Sequence, residues 1–149
     1  MKKMLVVFLI GCLAIAALSC AIAEEPEPEM LQSGDWIYVL LEDGTVEITY
    51  YTGQGAIVQI PETIDGIPVT KIGKSALWCH ENLTDVSIPD GVTVIGDGTF
   101  FDCVHLKNIT IPESVTVIGD SAFYDCSDLE SITLPDSVTM IGANAFTGC

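Results

Sequence analysis

The chain has 149 residues, enough for one domain, and carries 21 Asp and Glu residues against five lysines and no arginine, for a formal net charge of −16. Because so acidic a surface repels phosphate backbones and anionic lipid headgroups, the composition excludes nucleic acid as a partner. Charge favours basic proteins and divalent cations instead.

The first 23 residues are typical of a secretory signal peptide. Lys2 and Lys3 precede an apolar run over residues 4–18, and small residues at 21–23 offer a cleavage site before Glu24. The run is shorter than the roughly 20 apolar residues of a membrane-spanning helix. Residues 17–20 resemble a bacterial lipobox, which would place a lipid anchor on Cys20, but Ala17 stands where that motif prefers Leu. A secreted or cell-surface protein is therefore expected, with simple secretion favoured over lipoprotein anchoring.

Removal of the leader makes the chain still more acidic. The two leader lysines leave, so Lys71, Lys74 and Lys107 remain against 21 acidic residues and the net charge becomes −18. Residues 24–34, rich in Glu and Pro at their start, are expected to form an extended linker.

Residues 35–59 are predicted to form a β-hairpin cap. The segment from Trp36 to Tyr51 alternates apolar and polar residues around a turn at Asp43-Gly44. The side chains expected to face inward are Trp36, Tyr38, Leu40, Val46, Ile48 and Tyr50. Such a hairpin would cover the first edge of the array that follows.

The rest of the chain repeats itself every 23 residues. Residues 88–96, with the sequence Ile-Pro-Asp-Gly-Val-Thr-Val-Ile-Gly, return with few changes as 111–119 and 134–142. A fixed period of this length predicts a solenoid, in which each repeat is one coil stacked on the last. The array spans residues 60–149, about three and a half coils, and is incomplete at its C-terminus. We expect either a fragment of a longer array or association through the uncapped C-terminal end.

Each coil is predicted to hold a strand, a half-strand and a helical turn. The L-x-x-I-x-I run, as at 106–111, has the period of two of a strand with one buried face, and a Pro ends it. A Val-rich half-strand leads to a Gly at 73, 96, 119 and 142, where a turn with positive φ is expected. The next segment, as at 122–124, is predicted to be one helical or 3₁₀ turn. The first coil carries an insertion with a hairpin signal at Asp65-Gly66.

Stacking would bring equivalent side chains together as columns. Phe100, Phe123 and Phe146 are predicted to form one such column, with Leu77 filling its place in the first coil. Truncation of a buried Phe to Ala costs about 3–5 kcal/mol, so these positions should be the costliest to lose.

The unit L-x-x-I-x-I-P-x-x-V-x-x-I-G-x-x-A-F-x-x-C resembles the BspA-like leucine-rich repeat, a bacterial variant of the leucine-rich-repeat horseshoe. The resemblance covers residues 60–149, and residues 45–61 are similar to the segment that precedes such arrays. It implies an α/β fold class, namely a β-rich leucine-rich-repeat solenoid, and a secreted or surface-exposed protein that acts in adhesion or protein–protein recognition. It also implies many more coils in most members.

The cysteines are predicted to form a column of free thiols. Cys103, Cys126 and Cys149 each lie seven residues after the repeat Gly, and His80 takes that place in the first coil. Neighbouring coils lie about 4.8 Å apart with parallel side chains, whereas a disulfide needs converging Cβ atoms at about 3.8 Å. Adjacent disulfides remain the less favoured alternative.

The sequence predicts no metal, cofactor or catalytic centre. Cys79, His80, Cys103 and His105 lack the spacing of a structural zinc site. A nucleophilic Cys–His pair is also disfavoured, because a buried thiol is inert and nothing supplies an oxyanion hole. An enzyme is the least favoured function.

Two surfaces are candidates for binding a protein ligand. The first, which we call the strand face, comprises the outward residues of the L-x-x-I-x-I strands: Thr84, Asp85, Ser87, Lys107, Asn108, Thr110, Glu130, Ser131 and Thr133. The second is an aromatic row formed by Trp78, Phe101 and Tyr124. The favoured function is a protein-recognition module, and the alternative is a structural spacer or targeting segment of a larger surface protein.

Overall fold

A computed structural model describes residues 28–149 of the chain. The predicted signal peptide, Cys20 and the start of the predicted linker lie outside these residues. Every regular element of residues 28–149 is a β-strand. The strands are β1 (Leu31–Ser33), β2 (Trp36–Leu40), β3 (Val46–Tyr51), β4 (Ile57–Gln59), β5 (Thr63–Ile64), β6 (Ile67–Ile72), β7 (Asp85–Ser87), β8 (Val94–Ile95), β9 (Asn108–Thr110), β10 (Val117–Ile118) and β11 (Met140–Ile141).

The strands form two sheets that run along the stack of coils. The larger sheet has the order β1-β2-β3-β6-β8-β10-β11, with β5 also paired to β6, and the smaller has the order β4-β7-β9. Strands from successive coils pair in parallel, as expected where the chain makes one full circuit between them. One hydrophobic cluster takes side chains from both sheets and from the turns that connect them.

Equivalent residues of successive coils are neighbours in space, which confirms the predicted solenoid. Ile72 pairs with Ile95, and Ile95 with Ile118, at the 23-residue offset. The Phe100 and Phe123 ring centroids lie 5.2 Å apart, and those of Phe123 and Phe146 lie 5.3 Å apart with an interplanar angle of 4°. Leu77 is fully buried.

The hairpin forms, but its inward face differs from the prediction at two positions. A bulge leaves Thr49 without an opposite residue in the pairing of β2 and β3, so the alternation of β3 shifts by one residue. Tyr51 is consequently buried and contacts Trp36, with ring centroids 4.5 Å apart, whereas Tyr50 is 43% exposed. Leu40, at the end of β2, is exposed as well. β3 pairs in parallel with β6 and so covers the edge of the first coil.

The inserted hairpin of the first coil holds the cap in place. Asp65 accepts hydrogen bonds from Ser33 Oγ at 2.9 Å and from Tyr38 Oη at 3.0 Å. Burial and this carboxylate raise the pKa of Tyr38. Ser33 belongs to β1, which lies within the residues predicted to be linker and pairs with β2 instead. The apolar side chain of Leu31 explains the difference, because it packs against the core.

The predicted helical turn of each coil is wrong. Residues 76–78 and their equivalents form hydrogen-bonded turns instead of a helix, and positive-φ residues flank them, for example Ser75 at 56° and Cys79 at 54°. Every second N–H group of the segment donates to the next coil and not within its own turn. Leu77 N donates to Thr99 O of the following coil, whereas Trp78 N donates to Ser75 O within the turn. These turns donate forward along the stack. The residues around the repeat Gly donate backward, as Gly96 N does to Ile72 O.

The predicted positive φ at the repeat Gly is also wrong. Gly73, Gly96, Gly119 and Gly142 lie outside the positive-φ region. They are needed because the backbones of adjacent coils approach too closely for a side chain. A Cβ atom on Gly96 would lie 2.8 Å from the carbonyl carbon of Gly73, and one on Gly119 would lie 2.6 Å from Asp97 N.

We predict that Gly119→Ala destabilises the protein more than Gly98→Ala does. Gly98 has a φ of +57°, but a Cβ there meets nothing closer than 3.5 Å, so the substitution costs only the backbone strain of about 1–2 kcal/mol. At Gly119 the new atom overlaps the backbone of Asp97, which cannot move without opening the stack. Urea unfolding followed by circular dichroism measures both, with Gly44→Ala as the control for positive φ in open space. An equal or larger loss at Gly98 would contradict this explanation.

Candidate functional site

The strands β7 and β9 place the strand-face residues of the first two coils side by side. β7 and β9 pair in parallel, with Asp85 opposite Asn108 and Ser87 opposite Thr110. Ser87, Lys107, Asn108 and Thr110 are exposed, while Thr84 and Asp85 are half-buried. Polar side chains from two coils therefore lie side by side on one surface.

Hydrogen bonds fix the centre of this face. The Thr84 hydroxyl donates to Asp85 Oδ2 at 2.6 Å, and Asn108 Nδ2 donates to Asp85 Oδ1 at 2.8 Å. These two bonds, together with attraction to Lys107, lower the pKa of Asp85. The face thus presents an ionised carboxylate that is oriented before any partner arrives, which reduces the entropy lost on binding.

The third coil departs from the predicted strand. Residues 130–133 form no strand, although Glu130, Ser131 and Thr133 are exposed as expected. In the inner coils Asp85 N donates to Ala56 O and Asn108 N to Thr84 O, but Ser131 N makes no such bond. Without these ladder bonds the segment does not join the β4-β7-β9 sheet.

A cleft opens where this segment separates from β9. Two adjoining cavities of about 520 and 380 Å³ lie there, and both are lined by Lys107, Asn108 and Ser131. Glu130 borders the first cavity, and Thr110 and Thr133 border the second. The strand face is therefore a paired ladder at β7 and β9 and concave beside residues 130–133, which the sequence pattern does not indicate.

In the aromatic row two rings stack on each other, whereas the third is exposed. The rings of Phe101 and Tyr124 stack with centroids 4.9 Å apart and an interplanar angle of 5°. Trp78, at the same position one coil earlier, is 50% exposed and borders a separate groove with Phe101. The two candidate surfaces are distinct, because they share no lining residue.

The predicted column of thiols is present, and each thiol has a specific acceptor. Cys103 Sγ lies 3.1 Å from Leu77 O, Cys126 Sγ 3.2 Å from Phe100 O, and Cys149 Sγ 3.1 Å from Phe123 O. Burial raises the pKa of Cys103 to about 12 and raises that of Cys126 as well. Cys103 and Cys126 stay protonated at neutral pH, so they serve as buried donors and not as nucleophiles, whereas Cys149 is exposed.

The remaining Cys and His side chains each contact a different hydrogen-bond partner. His80 is buried, with Nε2 3.2 Å from Tyr51 O, and the exposed His105 Nδ1 lies 3.1 Å from Asp128 Oδ2. Cys79 Sγ lies 3.5 Å from Asp102 Oδ2. Among residues 28–149 no three His, Cys, Asp or Glu side chains are grouped to hold a metal ion. The same residues contain no helix long and apolar enough to cross a membrane.

Comparison with known proteins gives a consistent result. The sequence profile described as BspA type Leucine rich repeat region (6 copies) matches residues 56–149. No curated protein is significantly similar to the chain. A leucine rich cell surface protein from Faecalibacterium prausnitzii is 38% identical over 82% of this chain and 35% of its own, with a TM-score of 0.74.

Two other solved structures extend the likeness. The Treponema pallidum leucine rich repeat protein is 31% identical over 77% of this chain and 65% of its own, with a TM-score of 0.71. A leucine-rich repeat protein from Bacteroides capillosus is 32% identical over 74% of this chain and 86% of its own, with a TM-score of 0.69. The chain therefore spans less than two thirds of the length of the F. prausnitzii and T. pallidum proteins.

We predict that Cys103 and Cys126 resist alkylation by iodoacetamide at pH 8, while Cys79 and Cys149 react. A buried thiol reacts only after local opening, so modification of the buried pair should be slower by at least about 100-fold. Peptide mapping by mass spectrometry over a time course measures each site, with the protein in guanidinium as the control in which all four react. Equal rates at Cys103 and Cys149 would contradict the assignment.

We predict that the raised pKa of the buried Cys103 thiol lowers the free energy of unfolding in alkali. The unfolded Cys103 thiol ionises near its ordinary pKa, about 8.5, whereas the folded thiol ionises only near 12. Between these values the unfolded state binds fewer protons, so the free energy of unfolding falls as pH rises. Cys103→Ala should reduce this slope in urea titrations at pH 8 and pH 11.

Proposed function

Because the chain belongs to the BspA-type leucine-rich repeat family, we propose that its array is a protein-recognition module displayed outside the cell. The solenoid is a scaffold that presents a surface, and the observation that carries the proposal is the strand face. There the side chains of β7 and β9 form an ordered polar surface that continues into the cleft beside residues 130–133.

The chemistry of the strand face suits a protein ligand. It offers donors at Lys107 and Asn108, hydroxyl groups at Thr84 and Thr110, and the fixed carboxylate of Asp85. Such a mixture matches the backbone and side-chain groups of another protein, and the cleft provides the concavity that a flat sheet lacks. The neighbour from F. prausnitzii, a leucine rich cell surface protein, supports display of the module on the cell surface.

A second proposal is that the array serves as a spacer within a larger surface protein. The observation that favours it is length, because the chain spans only 35% of the cell surface protein from F. prausnitzii. A spacer would tolerate substitution of the strand face, whereas a recognition module would not. The two proposals therefore make opposite predictions for the same variant.

The test pairs a variant of the strand face with a matched control. The immobilised mature protein is screened against purified extracellular and cell-envelope proteins, and saturable binders are measured by surface plasmon resonance. We expect Lys107→Ser combined with Glu130→Ser to weaken binding at least about tenfold, because it removes one charge of each sign beside the cleft. Glu62→Ser combined with Lys71→Ser, at positions that flank the inserted hairpin, should leave affinity unchanged. Unaltered affinity in the first variant would favour the spacer.

Export is the second part of the proposal, and we predict that the mature chain begins at Glu24. The basic, apolar and small-residue segments of residues 1–23 support cleavage by an ordinary signal peptidase. Mass spectrometry of the protein recovered after expression in a secreting bacterium measures the N-terminus. A diacylglyceryl group on Cys20 would show lipid anchoring instead, and an intact leader in a cytoplasmic fraction would contradict export.

A further inference from the structure

The groove beside the aromatic row is lined by three columns of the solenoid. Lys74, Asp97 and Asp120 form the first column, and Ser75, Gly98 and Ser121 form the second. Trp78 and Phe101 form the third. The groove has a volume of about 380 Å³, and it lies apart from the residues that line the strand-face cleft.

The two carboxylates of the groove are held in place by the backbone. Asp97 Oδ1 accepts a hydrogen bond from Asp120 N at 2.9 Å, and Asp120 Oδ1 accepts one from Ala143 N at 2.7 Å. Each carboxylate engages one oxygen in this way, and both residues are exposed. Because the two like charges lie one coil apart, about 4.8 Å, they repel each other, and a cation placed between them would relieve that repulsion.

Trp78 supplies a second kind of attraction for the same cation. Half of its surface is exposed, which is unusual for the largest aromatic side chain unless it packs in an interface. Phe101 and Tyr124 stack on each other and are half-buried, so Trp78 is the most exposed member of the row. Trp is the best aromatic partner for a cation, and Arg is the cation that stacks on it most often.

The charge of the whole chain points to the same class of ligand. Only three lysines remain beside 21 acidic residues once the leader is removed, and Lys74 is the single basic residue that lines this groove. The surrounding field therefore attracts basic segments and accelerates their association.

We propose that the groove binds an arginine side chain of a protein ligand, with its guanidinium stacked on Trp78 and hydrogen-bonded to Asp97 and Asp120. Arginine fits better than lysine, because its planar group makes both contacts at once. This inference rests on the proposed function as a recognition module and names the chemistry of one part of its partner. The groove acts in addition to the strand face.

The test uses the mature protein and the blocked peptides Ac-Arg-Arg-Arg-NH₂ and Ac-Lys-Lys-Lys-NH₂. Titration followed by ¹H–¹⁵N NMR should shift the indole N–H of Trp78 and leave that of Trp36, which contacts Tyr51 in the cap, unchanged. The arginine peptide should bind more tightly than the lysine peptide by about two- to fivefold. Shifts spread evenly over the acidic surface, or equal affinity for both peptides, would overturn the proposal.

Four variants separate the groove from general acidity. Asp97→Asn keeps the oxygen that accepts Asp120 N but removes the charge, so it should weaken the arginine peptide about three- to tenfold without loss of folding. Trp78→Ala should weaken it while leaving the net charge unchanged. Lys74→Gln should strengthen it. Asp90→Asn, which removes the same charge outside the groove, should have little effect, and an effect equal to that of Asp97→Asn would sink the proposal.

Two further outcomes separate this inference from its premise. If Lys107→Ser with Glu130→Ser abolishes binding of a protein partner but the arginine peptide leaves Trp78 unshifted, the recognition function stands and the arginine site is refuted. If Ca²⁺ displaces the peptide at micromolar concentration and shifts Trp78 by itself, the groove is a cation site and the proposed ligand class is wrong.

Discussion

Backbone hydrogen bonds between successive coils determine almost everything else in this protein. Thr93 N donates to Thr70 O at 2.8 Å, and Thr116 N and Thr139 N repeat the bond at 2.9 Å in the next two coils. Any residue type that recurs every 23 positions is therefore placed directly over its equivalent. The phenyl rings, the thiols and the carboxylates all become columns for this one reason, and both candidate surfaces consist of such columns.

The acidic columns show how this constraint is reconciled with electrostatics. Like charges at one position in adjacent coils are unfavourable, yet Asp97 and Asp120 each accept a backbone N–H of the coil that follows. Asp85 lies opposite Asn108 and not another carboxylate, and it accepts side-chain hydrogen bonds from Thr84 and Asn108. A hydrogen bond to the ionised form offsets part of the repulsion, so these carboxylates add to the cohesion of the stack while they charge its surface.

The sequence predicts what is periodic and fails where the structure depends on contacts that the period does not encode. The solenoid and the Phe column follow directly from the repeat. The pattern Ala-Phe-Tyr has the composition of a helical turn, but the competing bonds to the next coil are invisible in one repeat. The predicted positive φ at Gly119 is wrong because the sequence does not distinguish a glycine needed for its φ from one needed for close approach of two backbones. The positions of the strand-face residues in β7 and β9 follow from the register. The cleft depends on the separation of residues 130–133, which share the sequence pattern of β9.

The opposite directions of the backbone bonds give the solenoid a polarity. The turn that contains Phe123 donates toward the later coil, at Ala145 O, whereas Gly119 N donates toward the earlier coil, at Ile95 O. The two ends of any such stack are thus complementary to each other and not to themselves. A coil gained by in-frame gene duplication meets acceptors and donors already in position. In a copy that stacks in reverse orientation, donors would face donors. Addition of coils by tandem repetition therefore keeps the backbone hydrogen bonds, whereas head-to-head stacking loses them.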